Sequence, residues 1–399
     1  MAEMSERLNT PISTAELERR WAAVRAAMAA EGIDVLLLQN NNDHMGGYVK
    51  YFTDNPATNG YPMTVVFPAD DLMTVVGQGP LGGNMEIGEG GDGVWRGVKR
   101  RLTTPSFSSA PYTRAYDGEL AAKALEPYKN AKIGLVGTYQ MSFALVDHVK
   151  AQFPGAEYVE VSDMVDRIKV IKSDEELALI RATALQQDAA IEAAFAAIEP
   201  GMKDSDVAAV ALHEGHNLGS EQGIYLGCSA PFGTPIMNAN RHNQDRVIQD
   251  GDTMHLLVEN NGAGGFFTEI GRTIVLGKAP QELKDELEFT LQAQRFTLDM
   301  MKPGTSCKDI WEAYNQFMRE NGRPEERRLY CHGQGYDLVE RPLIRMDEPM
   351  AIEKNMNIVC HPTYIVDGRF ASWICDNYII GGNGPGECIH KLEQKIFEK

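Results

Sequence analysis

No stretch of this sequence approaches the ~20 consecutive apolar residues that a membrane-spanning helix requires. Positive charge is scarce: 38 Lys and Arg stand against 56 Asp and Glu, for a formal net charge of −18. That balance argues against a broad nucleic-acid or anionic-membrane surface, because phosphate contacts need Lys and Arg in excess. Cysteine is sparse and unpatterned, six residues without a CxxC pair or framework spacing, so a disulfide scaffold is not expected. The first residues, MAEMSERLNTPISTAELERR, lack the basic and then apolar layout of a signal peptide. A soluble protein of a reducing cytoplasm, with a small molecule as partner, is the expectation. At 399 residues, 43% of them hydrophobic, the chain is long for one core and two domains are expected.

The first part alternates helix and strand signals. A helix is expected over residues 13–31, then strands at DVLLLQ, MTVVFP, LMTVVG and KIGLVG, and a helix near residues 142–152. The Gly- and Pro-rich stretch from Gly77 to Thr113 is expected to form long loops. Beyond Val161 a linker leads into a long helix, with Ser173 as N-cap and Glu176 at the capping-box position. The expected domains are therefore residues 1–165 and 166–399. The second carries an internal repeat: Pro200-Gly201 matches Pro303-Gly304, Asp206-Val207 matches Asp309-Ile310, and Gly219 matches Gly322, all at an offset of 103 residues. Duplicated units related by a pseudo-two-fold leave a groove between them, where a ligand would bind.

Four stretches of the second half carry candidate chemistry. In VENNGAGGFFTEIGRT, Glu259 and Glu269 flank a glycine-rich reversal. Two carboxylates on paired strands can share a metal or a proton; they can equally be solvated charges. In CHGQGYDLVERP, His332 lies among glycines, followed by Tyr336, Asp337 and Glu340. In NIVCHP an apolar strand ends on His361, and in SWICDNY the residues Trp373, Cys375 and Asp376 cluster. A lone histidine or cysteine in such a strand is most often a core residue.

Taken in order, these blocks resemble the M24 "pita-bread" superfamily of creatinase, prolidase, aminopeptidase P and methionine aminopeptidase. The likeness extends to IKSDEELALIRATA as the linker helix and MGGYVKYFTD as an N-terminal-domain signature. It implies an α/β N-terminal creatinase-like domain, an α+β pita-bread catalytic domain with its pseudo-two-fold repeat, and a homodimer. Peptidases of the superfamily hold two metal ions on two aspartates, a histidine and two glutamates. By that pattern His332 alone keeps its identity, and Glu269 replaces the second aspartate. The first aspartate falls at Val258 or, with a hairpin one residue shorter, at Glu259. His361 and Cys375 replace the two glutamates, and Val339 the second histidine.

Exchanging two carboxylates for an imidazole and a thiol removes negative charge that a dinuclear centre needs. Two readings follow. In one, no cofactor is present and His332, Glu269, Glu259 and Glu340 act as acids, bases and hydrogen bonders. In the other, Glu259, Glu269, His332, His361 and Cys375 hold a single zinc or iron ion. The expected activity is non-peptidase hydrolysis of a C–N bond in an amidine or amide, as in creatinase. The alternatives are a lyase reaction, as in the dimethylsulfoniopropionate lyase of the superfamily, and a binding protein without catalysis. Arg241, His242, Tyr336, Asp337, Trp373 and Asp376 are the candidate substrate contacts, since the family often brings a histidine over the groove from the region of His242.

Overall fold

The computed structural model describes residues 4–42, 44–45, 47–58, 60–88, 93–107, 109–236 and 239–399. Gly46 of MGGYVKYFTD, residues 89–92 and 108 of the glycine-rich stretch, and Met237 and Asn238 just before Arg241 lie outside the described residues. The chain divides into two compact units, Met1–Lys169 and Val170–Lys399. Among the described residues no helix is long and apolar enough to cross a membrane.

The first unit is a mixed seven-stranded sheet with helices. Its strands are β1 (Val35–Asn40), β2 (Met63–Pro68), β3 (Met73–Gln78), β4 (Gly83–Glu86), β5 (Val98–Thr104), β6 (Lys132–Val136) and β7 (Glu157–Glu160), in the order β4-β5-β3-β2-β1-β6-β7. Its helices are α1 (Thr14–Glu31), α2 (Gly47–Thr53), α3 (Tyr116–Leu125), α4 (Phe143–Gln152) and α5 (Ser162–Lys169). The central strands are apolar runs buried on both faces, as a covered sheet requires. Helix α1 begins where Ser13 accepts a hydrogen bond from the Glu16 amide at 3.1 Å. The stretch expected to be loops contains β4 and β5. Strand β5, VKRRLTT, hides its character because its half-buried positions are Lys and Arg; Arg101 nonetheless lies over the Trp95 ring at 4.1 Å. A domain boundary at residues 165/166 would cut α5, where Asp166 accepts a 2.7 Å hydrogen bond from Tyr48 within the first unit.

Asp117 on α3 is buried in this unit with Ser106 Oγ donating to it at 3.1 Å. Burial pushes its carboxyl up to about 6, against the opposing pull of Ser106. The folded state therefore favours the protonated form. Its contribution to stability is fully present below the unfolded value near 4 and lost as pH rises through 6. Asp117→Asn, which keeps an acceptor, is expected to stabilise the protein by about 1–2 kcal/mol at pH 8 and by little at pH 4.5. Urea denaturation at the two pH values measures the difference, and an equal effect at both would refute the assignment.

The second unit is built from two copies of one pattern. Helix α6 (Asp174–Ala197) starts with the capping box of Ser173 and Glu176 and runs to the first Pro-Gly turn. Helix α7 (Asp204–Asn217) follows, then β8 (Gly223–Pro231), β9 (Asp252–Asn261) and β10 (Phe267–Val275). The second copy has α8 (Gln281–Met300), α9 (Cys307–Glu320), β11 (Cys331–Gly333), β12 (Glu340–Leu343), β13 (Asn357–Cys360), the hairpin of β14 (Thr363–Val366) and β15 (Phe370–Trp373), then β16 (Asp376–Ile379) and β17 (Glu387–Cys388), with β18 (Ile396–Glu398) closing the chain. Helices α7 and α9 begin and end at the same 103-residue offset. Both Pro-Gly glycines have φ above +90°, a region that favours glycine. Each is tied by its amide to an isoleucine carbonyl, Gly201 to Ile248 at 2.9 Å and Gly304 to Ile352 at 2.8 Å. The expected repeat is thus present down to its hydrogen bonds.

The strands form a four-stranded sheet, β18-β10-β9-β8, and a five-stranded sheet, β12-β11-β13-β16-β17. The two meet where the Gly271 amide donates to the Cys375 carbonyl at 3.1 Å. Helices α6 and α7 pack on the first sheet through Ile191, Val207 and Ala211 against Met254, Leu256, Val258, Ile270 and Ile274. Helices α8 and α9 cover the second through Leu298, Ile310 and Tyr314 against Ile358 and Cys360.

Candidate metal centre

The site begins with strand alternation. On β9, Met254, Leu256 and Val258 face the helices, so His255, Leu257 and Glu259 face the other way. On β10 the antiparallel register sets Glu269 directly opposite Glu259, Gly271 opposite Leu257 and Thr273 opposite His255. The alternative between Val258 and Glu259 is thereby resolved structurally, because Val258 belongs to the helix-facing core. The reversal that pairs the strands needs φ values of +68° at Gly264 and +81° at Gly265.

Two buried carboxylates opposite each other are costly when both are ionised. Burial, together with the charge of Glu269, holds the Glu259 carboxyl well above its usual range, while Gln334 opposes. Burial raises Glu269 to about 7, against a hydrogen bond from Cys375 and the nearby charge of Arg328. They are not solvated charges. Gln334, fully buried, donates to Glu259 Oε1 at 2.8 Å and accepts from Asn377 Nδ2 at 2.8 Å. Asn377 Oδ1 in turn accepts from the Glu269 amide at 2.7 Å. This amide network fixes the Glu259 carboxylate and the Glu269 backbone. The sequence assigned neither Gln334 nor Asn377 a role, although each lies beside a quoted candidate.

His332 on β11 is buried, and its Nδ1 lies 2.9 Å from the Gly333 carbonyl. A proton on Nδ1 leaves the Nε2 lone pair toward the site, where Nε2 is 3.9 Å from Glu269 Oε2. Burial lowers its pKa to about 4, so the ring is neutral and can ligate. His361 follows β13, its amide donating to the Tyr330 carbonyl at 2.8 Å. Burial and the His332 and Arg328 charges push it well below the usual histidine range. The rings meet edge-on with centroids 5.3 Å apart. Their spacing is set by strand pairing, because the preceding residues, Cys331 and Cys360, are direct cross-strand partners. Ligand atoms of Glu269, His332 and His361 all lie within 4.8 Å of one another.

Several expected site residues are engaged elsewhere. The Cys375 thiol donates to Glu269 Oε1 at 3.2 Å, and burial with the neighbouring Glu269 and Asp376 charges drives its pKa well up. In this structure it is a hydrogen-bond donor to Glu269. Glu340 cannot serve as a free base: its Oε2 pairs with buried Lys172 at 2.9 Å and its Oε1 accepts from the Tyr336 amide at 2.8 Å. Asp376 is not a substrate contact, since it pairs with Arg272 at 2.6 Å and both side chains are 0% exposed. Tyr336 stacks on Phe266 with centroids 4.3 Å apart, and Asp337 is buried beside it. Arg241 and His242 lie exposed on a short 3-10 turn and are not among the converging donors; Arg241 borders a groove with Leu212 and Tyr225. Trp373 does reach a cavity wall, stacked on His255 at 5.4 Å. A Cβ on Gly271 would fall 1.9 Å from its ring, so that glycine makes room for the indole.

Residues 178–381 match metallopeptidase family M24. The chain belongs to that family. The M24 chain is 25% identical over 338 residues to the Xaa-Pro dipeptidase of Pyrococcus furiosus, spanning 80% of this chain and 91% of that protein. It is 26% identical over 280 residues to the Xaa-Pro dipeptidase of Pyrococcus horikoshii, over 69% of this chain and 77% of the relative. The X-Pro aminopeptidase structure from Thermotoga maritima superposes with a TM-score of 0.77 at 18% identity, covering 95% of this chain and 99% of that one. The prolidase structure from Pyrococcus horikoshii gives 0.74 at 20% identity, over 94% and 99%. These superpositions show the fold.

The relatives correct the expected activity. Their names run to peptidases, which overturns the non-peptidase C–N hydrolase together with its lyase and binding-protein alternatives, and removes the ground for holding Xaa-Pro peptidase activity improbable. The loss of two carboxylates does not exclude peptidase chemistry, because the remaining donors still suit one metal ion. The family name implies metal, and the donor set fits one ion: a carboxylate and two neutral imidazoles converge. A second ion finds no further converging set among the described residues, where Glu259 Oε1 is held by Gln334 and the Cys375 thiol donates to Glu269.

Proposed function

We propose that this M24 enzyme is a peptidase that hydrolyses the peptide bond of a short Xaa-Pro substrate at a mononuclear centre on Glu269, His332 and His361. The observation that carries the reading is the convergence of those three donors within 4.8 Å. Its support in kind comes from the relatives named Xaa-Pro dipeptidase. Zinc or iron suits a donor set of two imidazoles and a carboxylate and supplies Lewis-acid polarisation and water activation.

The chain's own groups do the rest. Glu259 is the proton carrier: it lies buried directly opposite Glu269 on the paired strand, placed to exchange a proton with the attacking water. It then returns that proton to the leaving amide nitrogen, while hydroxide adds to the carbonyl carbon and the C–N bond breaks. Gln334 holds Glu259 Oε1 in place, so the carboxyl presents its other oxygen. The Cys375 thiol and the Asn377-bound backbone fix Glu269.

Metal-stripped protein reconstituted with zinc, ferrous iron, manganese or cobalt tests the reading. Elemental analysis is expected to give one ion per chain, and a dipeptide panel is expected to show turnover of Xaa-Pro substrates. Two ions per chain, or no hydrolysis of any dipeptide, would overturn it.

A further inference from the structure

A cavity of about 470 Å³ opens on the sheet of the first unit, a volume within the ~300–1,000 Å³ of small-ligand sites. Its floor is a row of residues in register across four strands. Val66 on β2 stands opposite Thr74 on β3, Thr74 opposite Arg100 on β5, and Arg100 opposite Glu86 on β4. Cross-strand partners share a face of the sheet, and all four border the cavity. The register slips by one residue between β3 and β5, which brings Lys99 to the same wall beside Arg100. Lys123 in the last turn of α3, with Pro127 and Tyr128 just beyond that helix, completes the enclosure.

In a chain with 56 acids against 38 bases, a basic side chain seldom lacks a carboxylate partner, yet two here do. Lys99 pairs with Asp71, and Glu126 pairs with Lys129 at 2.9 Å, so two of the acids in the wall are occupied. Arg100 and Lys123 make no ion pair among the described residues, and Arg100 Nε is buried without a hydrogen-bond partner. Glu86, although opposite Arg100, is exposed and makes no ion pair among the described residues. Thr74 is 3% exposed, and its hydroxyl has no hydrogen-bond partner among the described residues. Donors left unpaired at a buried surface cost free energy unless a ligand fills them.

We propose that this cavity binds a phosphate monoester, with the phosphoryl group between Arg100, Lys123 and the Thr74 hydroxyl and the organic part against Pro127 and Tyr128. Charge and donor count select the class. Two unpaired cations balance the charge of about −1.5 to −2 that a monoester carries at pH 7, whereas a carboxylate would answer only one of them. The guanidinium offers a fork of N–H donors, the ammonium a point charge and the hydroxyl a further donor, a set that suits three terminal oxygens better than two. The site stands apart from the peptidase reading, because every residue that lines it belongs to the first unit.

Calorimetry on the full-length protein at low ionic strength tests the site, with phenyl phosphate, inorganic phosphate and benzoate as probes. Phenyl phosphate is expected to bind once per chain, about tenfold or more tighter than benzoate and about threefold or more tighter than inorganic phosphate, which lacks the ring. Arg100→Gln and Lys123→Gln should each weaken phenyl phosphate by about tenfold or more, and Thr74→Val, which keeps the shape, by about threefold. Glu86→Gln removes the one unpaired acid and should tighten binding about threefold, a gain that misfolding cannot imitate. His332→Ala should leave the affinity unchanged, which separates this cavity from phosphate captured at a metal ion. No binding at about 10 mM phenyl phosphate, benzoate or inorganic phosphate bound as tightly, an affinity indifferent to both Arg100→Gln and Lys123→Gln, or binding lost in His332→Ala would each overturn the proposal.

Discussion

His332→Ala is expected to abolish Xaa-Pro hydrolysis, by about 10³-fold or more, and to release the ion from the purified protein. The imidazole is one of the three donors that converge among the described residues, and water cannot replace a neutral nitrogen ligand whose tautomer was fixed by the Gly333 carbonyl. Stability should change little by comparison, because the neutral ring makes one backbone hydrogen bond and no ion pair at neutral pH. The control is elemental analysis beside the rate. A variant that keeps both its ion and its turnover would remove His332 from the centre. A pH dependence accompanies this. Glu269, raised to about 7 without metal, holds a proton below that pH, and a ligand carboxylate must give it up. Metal affinity of the wild type is therefore expected to rise with pH through 7 and to fall by about tenfold per unit below it. An affinity flat between pH 5.5 and 8 would contradict the assignment.

The second large effect is on stability and comes from Asp376. Its partner Arg272 is fully buried on β10, and its guanidinium also donates to the carbonyls of Leu392 at 2.8 Å and Glu393 at 3.0 Å. The pair ties β10 to β16 across the meeting of the two sheets. Removing one partner of such a buried pair leaves an uncompensated charge, at a cost of about 3–5 kcal/mol. Asp376→Ala is expected to destabilise the protein by that amount in urea denaturation, whereas the double change Arg272→Met with Asp376→Leu should recover much of it. A loss under about 1 kcal/mol for the single variant would show that the pair contributes little. Substrate discrimination is not the readout here, because Asp376 is fully buried in its pair with Arg272.

These residues also show where sequence reasoning succeeds and where it stops. Glycine at Pro-Gly turns and strand periodicity are local signals, and the 103-residue offset that they reveal is matched by helices α7 and α9. Strand β5 stayed hidden because its Lys and Arg positions read as loop. The residues of the site were visible as chemical types, but their partners were not. Glu340 and Lys172 are 168 positions apart, and Asp376 and Arg272 are 104 apart. No spacing rule tells a buried ion pair from a catalytic acid at such separations. His255 carried no signal of its own in the apolar run TMHLLVE; only the strand register puts it on the Glu259 face, stacked on Trp373.

The cross-strand pairing of Cys331 with Cys360 has one more consequence. The two imidazoles that follow these cysteines are spaced by a backbone ladder, not by loops free to adjust. A donor set of two nitrogens and one carboxylate on so stiff a frame cannot widen to the six to eight oxygen ligands that calcium takes, nor offer the all-oxygen octahedron that magnesium demands. In the proposed centre the sheet would therefore select by donor type and coordination number, in favour of first-row ions that take nitrogen donors.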